Sequence, residues 1–276
     1  MGYAPSSGSL LYYEEQGEGV PILLIHPAGS TASTWGAAAD ELARIGRVVT
    51  YDRRGYARSG GEAVRSLSTH TADAAALLEH VGSPAAVVVG TSAGAAIAVD
   101  LAVHRPELVR SVVAHEFPWR FARRLPSARQ AAALAKIATL VVRGRQADAA
   151  ETLLRSAYAY RDGRSAWDAF PPEWRQAGRD NAGPALADFR NSIGTYPSAA
   201  ELATVTVPVV CSYGSRSPGS IVRLVRSLAS AIPTAAVVEI AGAGHAAPFD
   251  ATAEFVRLIG DAVSRSSNRV YEEAGA

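Results

Sequence analysis

A serine hydroxyl becomes a useful nucleophile only where the chain exposes it and a base can take its proton. Ser92 stands in such a place, within Gly90-Thr91-Ser92-Ala93-Gly94. An apolar run at 85–89 comes directly before it and a helical stretch at 95–104 directly after. A strand that turns into a helix within so few residues strains the corner residue, and small neighbours keep strand and helix from colliding. The corner hydroxyl is then exposed at the strand's carboxyl end. It also lies beside a helix N-terminus whose free N–H groups can receive a developing negative charge. A G-x-S-x-G pattern alone arises by chance about 0.2 times in a chain of this composition, so the flanking strand and helix carry the argument.

The base is expected to be His245. It follows a strand-like run and the pliant Ala241-Gly242-Ala243-Gly244, which can project a side chain over a sheet edge. His70, His80 and His104 fall in or near helical patterns and are expected to be surface or structural residues. His115 is expected to pack, and His26 to serve the backbone geometry of its loop.

The elements that would position these groups alternate between short apolar runs and longer helical patterns, the mark of parallel βαβ units. Strands are expected at 21–25, 48–51, 85–89, 109–114, 207–213 and 236–240, with helices at 34–45, 71–81, 95–104 and 253–263. The polar tail from 264 is expected to fray. Between 119 and 200 no strand pattern persists, and alanine-rich helical stretches carry most of the isolated aromatic residues. We therefore expect an α/β fold in which 1–118 and 201–276 form a mostly parallel central sheet flanked by helices, and 119–200 form a helical cap insertion.

The 276 residues suit one such unit; 48% are apolar and 19% charged, enough to bury a sizeable core. A net charge of +1, from 27 basic and 26 acidic residues, gives no support to nucleic-acid binding. The short clusters Arg53-Arg54 and Arg123-Arg124 are expected to be solvated or locally paired surface. The single cysteine, Cys211, lies in an apolar run and is expected to be a buried, inert thiol. The N-terminal stretch lacks the pattern of a secretion signal, and no run is long and apolar enough to span a bilayer. A cytoplasmic protein acting on a small molecule is expected, with neither metal nor organic cofactor. A homodimer formed through the insertion or a sheet edge remains open.

Four motifs in order, Leu-Leu-Ile-His26-Pro-Ala-Gly, Tyr-Asp52-Arg-Arg-Gly55, Gly-Thr-Ser92-Ala-Gly and Gly-Ala-Gly-His245-Ala-Ala-Pro-Phe, resemble the α/β-hydrolase superfamily over nearly the whole chain outside the insertion. The resemblance implies that Ser92 is the nucleophile and His245 the base. It also implies an oxyanion hole made by the backbone N–H groups of Ala93 and Ala28. Pro27 has no N–H, which favours Ala28, or else Gly29, as the second donor. Most members carry their acid after a late strand, in a segment like Gly-x-x-Asp-Pro. Here that segment reads Gly214-Ser215-Arg216-Ser217-Pro218, and a serine cannot supply the charge that stabilises an imidazolium.

The stretch His115-Glu116-Phe117-Pro118 resembles instead a smaller group, including zearalenone-type lactone hydrolases, that carries the acid after the strand following the nucleophile helix. That resemblance implies Glu116 as the third residue. Asp250 is the rival carboxylate, but is expected to cap the final helix. The likeness implies hydrolysis of a fairly hydrophobic ester or lactone, a zearalenone-like macrolactone among them, and a pocket lined by Gly29, Trp119 and Leu186. Leu186 stands where that group carries a tryptophan. Two other readings remain: a non-catalytic ligand-binding protein, and a C–C bond hydrolase or lyase of the same fold.

Overall fold

Successive apolar side chains of the central strands point to opposite faces of the sheet, and that fixes the layers. The computed structural model describes residues 1–64, 66–83, 85–117, 128–191 and 196–274. Its strands are β1 (Gly2–Ser6), β2 (Ser9–Gln16), β3 (Pro21–Ile25), β4 (Arg47–Tyr51), β5 (Ala86–Thr91), β6 (Val109–His115), β7 (Val209–Gly214) and β8 (Ala235–Ile240). They form one sheet in the order β1-β2-β4-β3-β5-β6-β7-β8, with β1 and β2 antiparallel and the rest parallel.

Successive side chains on a strand point to opposite faces. Leu23, Ile25, Val49 and Val88 accordingly enter one core with α2 (Leu67–His80) and α3 (Ala93–His104). Ile22, Leu24, Val87, Val89 and Val113 enter the other, with α1 (Gly36–Leu42) and the long closing helix at 252–274. With both faces covered, β3 and β5 are buried along their whole length, which is why β3 is an uninterrupted apolar run and β5 is one as far as Val89. Each buried Val or Leu side chain contributes about 2 kcal/mol.

Between β6 and β7 the described residues add no strand to this sheet. They form α4 (Ala128–Val142), α5 (Gln146–Ala157), α6 (Pro172–Asp180), α7 (Ala182–Asn191) and the short α8 (Ala199–Leu202). This segment has two small cores of its own, one around Trp167 and Phe170, the other around Ile137, Leu140 and Leu186. After β7 come α9 (Gly219–Ala229), β8, the four-residue α10 (Ala247–Asp250) and α11 (Thr252–Ala274).

Two expectations are corrected and one pair of strands is added. The polar tail does not leave the helix at 264; α11 continues to Ala274. Arg53 and Arg54 are buried ion-paired residues, not surface. The hairpin β1–β2, unread in the sequence, extends the sheet beyond β4 because alternate residues such as Ala4 and Leu11 have an apolar face to cover. Arg123-Arg124 lie outside the described residues. Among the described residues no helix is long and apolar enough to cross a membrane.

Candidate active site

The corner between β5 and α3 is dictated by sterics. Ser92 has φ 52° and ψ −115°, a conformation that costs an L-residue about 1–3 kcal/mol. A Cβ at Gly90 would lie 2.2 Å from the Gly94 carbonyl oxygen, and one at Gly94 would lie 2.0 Å from that of Ile25. No side chain fits at either place. The corner is pinned on both sides: Ser92 N–H donates to the His115 carbonyl at 2.9 Å, and Ala96 N–H to the Ser92 carbonyl at 3.1 Å. The Ser92 hydroxyl does not cap α3, so it is left for other work.

Glu116 follows β6 with φ 49° and is 1% exposed. Its N–H donates to the Ser212 carbonyl at 2.9 Å. One carboxylate oxygen, Oε1, accepts from Gly214 N–H at 3.1 Å and from the Ser217 hydroxyl. The other, Oε2, lies 2.7 Å from His245 Nδ1. Burial by itself would raise the carboxyl's pKa. The His245 hydrogen bond, the electrostatic influence of the His115 and His245 rings and the Ser217 hydroxyl outweigh it and hold the group at about 2. An ionised carboxylate only accepts, so the proton of His245 sits on Nδ1 and Nε2 is left as the basic nitrogen.

Ser217, which stands where the resemblance expects a late acid, thus donates to Glu116.

The loop that carries His245 is held at Gly244 from both sides of its backbone. His115 Nε2 donates to the Gly244 carbonyl at 3.0 Å, since a carbonyl can only accept, and His115 Nδ1 accepts from the Ser212 hydroxyl at 3.0 Å. Burial lowers the His115 pKa, which favours this neutral form. Gly244 N–H donates to Asp250 Oδ2 at 2.8 Å, and Asp250 Oδ1 accepts from the Tyr160 hydroxyl at 2.6 Å. A Cβ at Gly244 would meet the Tyr160 ring at 2.6 Å. The expectation that Asp250 caps the final helix is therefore corrected: both its oxygens are engaged behind the histidine loop. His115 likewise does more than pack. Neither role has a short-range sequence signal, because the partners lie far away in the chain or across the loop.

A cleft of about 500 Å³, counted with the solvent at its mouth, opens beside these groups. Pro27, Gly29, Thr91 and His245 line its floor, and Tyr158, Trp167, Phe170 and Trp174 from the α4–α8 segment and Phe249 from α10 line its walls. Tyr158 stands edge-on to the His245 ring at 5.3 Å between centroids. Thr91 immediately precedes Ser92, so the elbow and the histidine adjoin one cavity. Among the described residues no hydrogen bond joins the Ser92 hydroxyl to His245, and none engages the N–H of Ala28 or of Ala93, the first residue of α3. Catalytic hydrogen bonds of this kind commonly tighten only when substrate is bound.

Of the expected pocket residues, Gly29 is at the cleft with φ +67°, and a Cβ there would lie 2.6 Å from Leu154. Leu186 is not: its side chain packs with Ile137, Leu140 and Ala149 inside the α4–α8 segment, and the expectation is corrected. α7 turns that side chain inward among other helices, which a residue-by-residue likeness cannot reveal. Trp119 lies outside the described residues. Phe170 and Phe249 were not singled out from the sequence; the crowding of aromatics in the insertion signalled Trp167 and Phe170, and Phe249 closes the His245 motif. Cys211 is buried, and burial pushes its thiol up to about 12. Among the described residues no three His, Cys, Asp or Glu side chains gather in a way that could hold a metal ion.

An eight-stranded, mostly parallel sheet with a strained Ser elbow and a buried Glu–His pair is the architecture of the α/β-hydrolases. The chain belongs to the alpha/beta hydrolase family, whose model it matches over residues 22–258. It is 40% identical over 113 residues to an uncharacterized hydrolase, YraK, of Bacillus subtilis (strain 168), covering 40% of this chain and 41% of that one. The match therefore spans about two fifths of that relative's length. Among solved structures it resembles Est816, described as an N-acyl homoserine lactone degrading enzyme, with TM-score 0.75 and 22% identity over 93% of this chain and 98% of the other. The enol-lactonase from Burkholderia xenovorans LB400 aligns with TM-score 0.76 and 21% identity over 95% and 99%. At such identities the likeness is one of fold.

Proposed function

We propose that the protein is a serine hydrolase that cleaves a carboxylic ester or lactone of a fairly hydrophobic small molecule through an acyl-enzyme. The observation that carries the reading is the 2.7 Å contact between His245 Nδ1 and a buried, ionised Glu116, beside a cleft that also borders the Ser92 elbow.

In this scheme His245 Nε2 takes the Ser92 proton as the hydroxyl oxygen attacks the carbonyl carbon. The tetrahedral oxyanion accepts from Ala28 and Ala93 N–H, each such donor contributing about 3 kcal/mol. Collapse breaks the C–O bond, and the imidazolium returns the proton to the departing alkoxide. A water, deprotonated by the same histidine, then attacks the acyl-enzyme; the acyl–oxygen bond to Ser92 breaks, the imidazolium returns the proton to the Ser92 oxygen, and the carboxylic acid leaves. Glu116 stays ionised throughout and fixes the imidazole tautomer. The α4–α8 segment acts as a cap, and its aromatic wall favours apolar acyl or alcohol groups. A zearalenone-like macrolactone is the finest form of this reading, supported by the early position of the acid. We place the reaction in the cytoplasm, with no macromolecular partner required.

Turnover of p-nitrophenyl esters and a panel of lactones by the purified protein tests the proposal. Hydrolysis is expected in the wild type and loss of at least about 10³-fold in Ser92→Ala. Hydrolysis that survives in Ser92→Ala at the wild-type rate would reject it.

A further inference from the structure

A fully buried guanidinium lies behind the peptide expected to complete the oxyanion hole. Arg53, in the loop after β4, is 1% exposed. A single nitrogen, Nη2, donates in two directions: to Asp188 Oδ2 on α7 at 2.6 Å and to the Pro27 carbonyl at 3.2 Å. The same Asp188 oxygen accepts from the Tyr56 hydroxyl at 2.6 Å. Burial by itself would raise the Asp188 pKa, but the Arg53 charge beside it holds the carboxyl well below the usual range.

His26 braces the same carbonyl. Its Nε2 accepts from Arg53 backbone N–H at 3.0 Å, which leaves the proton on Nδ1 to donate to the Pro27 carbonyl at 2.8 Å. Burial, with the Arg53 charge, lowers His26 to about 3, so this neutral tautomer holds over the ordinary pH range.

The Pro27–Ala28 peptide is trans, so its C=O and N–H point in opposite directions. Two donors drawing the carbonyl toward Arg53 and His26 turn the Ala28 N–H the other way, and Pro27 lines the cleft. Hydrogen bonds to the carbonyl also polarise the peptide and strengthen its N–H as a donor. Stability alone accounts poorly for this arrangement. Among the described residues Arg53 Nε and Nη1 have no hydrogen-bond partner, the guanidinium lying 4.5 Å over the centre of the Tyr56 ring. Buried donors left unpaired are costly, and an apolar pair of similar volume is often as stable as a buried ion pair.

We propose that Arg53 is a positioning residue that aims the Ala28 N–H into the oxyanion hole, and that Asp188 on α7 sets Arg53, so that seating of the cap and assembly of the hole are one event. The inference rests on the hydrolase reading above and adds a regulation of the same site: displacement of α7 withdraws the oxyanion donor.

The test compares wild type, Arg53→Met, Arg53→Lys and the double variant Arg53→Met/Asp188→Leu in p-nitrophenyl acetate hydrolysis, together with Tm and the affinity for phenylboronic acid as a tetrahedral analogue. Arg53→Met is expected to lower kcat by about 10- to 100-fold with KM changed less than about threefold, and to weaken boronate binding in parallel. Arg53→Lys, able to span one of the two acceptors, is expected to fall between. The double variant is expected to recover part of the lost Tm, the Tyr56 hydroxyl still lacking its acceptor, but not kcat or boronate affinity. Recovery of kcat together with Tm, or a kcat within threefold of wild type in Arg53→Met, would show that the ion pair is merely structural. A wild type that hydrolyses no ester and binds no boronate would overturn the hydrolase reading itself, and the positioning role with it.

Discussion

Replacement of Glu116 by glutamine changes one atom and should reverse one hydrogen bond. In the wild type Oε1 accepts from Gly214 N–H and the Ser217 hydroxyl, while Oε2 faces His245 Nδ1. The glutamine oxygen must keep the Oε1 position, because an NH₂ group there would meet the Gly214 N–H head on. Its NH₂ group then points at His245 Nδ1 and donates. That forces the imidazole proton onto Nε2, the nitrogen that should receive the Ser92 proton, and it removes the charge that stabilises the imidazolium. The comparable change in a serine triad lowers kcat about 10⁴-fold, or about 5 kcal/mol in the barrier. Steady-state hydrolysis of p-nitrophenyl acetate, with Tm and circular dichroism to establish an intact fold, measures it. A folded Glu116→Gln protein within tenfold of wild-type kcat would refute the assignment of the acid.

Other expectations follow from the same contacts. Asp250→Asn can still accept from Gly244 N–H and donate to the Tyr160 oxygen, so kcat should fall less than about tenfold; Asp250→Ala loses both bonds, and Tm together with kcat should show a cost of about 1–3 kcal/mol. Gly94→Ala sets a methyl 2.0 Å from the Ile25 carbonyl oxygen and should destabilise by more than about 3 kcal/mol, measurable by urea unfolding. Leu186→Ala should cost about 2–5 kcal/mol in stability and leave the ratio of kcat/KM between short and long acyl esters unchanged, since the side chain is packed inside the α4–α8 segment. Glu116, depressed from 4.5 to about 2 in the folded state, contributes stability that is fully present above pH 4.5 and lost as pH falls toward 2. Acid unfolding of wild type should show that loss, and Glu116→Gln should lack it over the same window.

The middle of the sheet was legible because β3 and β5 are buried on both faces and read as apolar runs between turns. The β1–β2 hairpin was not, since its half-buried residues give only a weak alternation. At the site, Ser92 and His245 were legible from glycines that local backbone geometry demands. Glu116 came from resemblance; its partners Ser217 and Gly214 lie about a hundred residues away in sequence, and only the sheet order brings them together. Arg53 was misread as surface because the sequence does not show that α7 delivers Asp188 to cover it. Leu186 was misplaced for a related reason: within the α4–α8 segment, which face of a helix meets the cleft depends on packing among helices.

The most direct measurement is mass spectrometry of protein quenched in acid during turnover of p-nitrophenyl acetate, whose good leaving group makes acylation fast. An added acetyl mass on the peptide that contains Ser92, absent in Ser92→Ala, is the expected result. Turnover without any acyl adduct at Ser92, or with the adduct on another residue, would contradict the account.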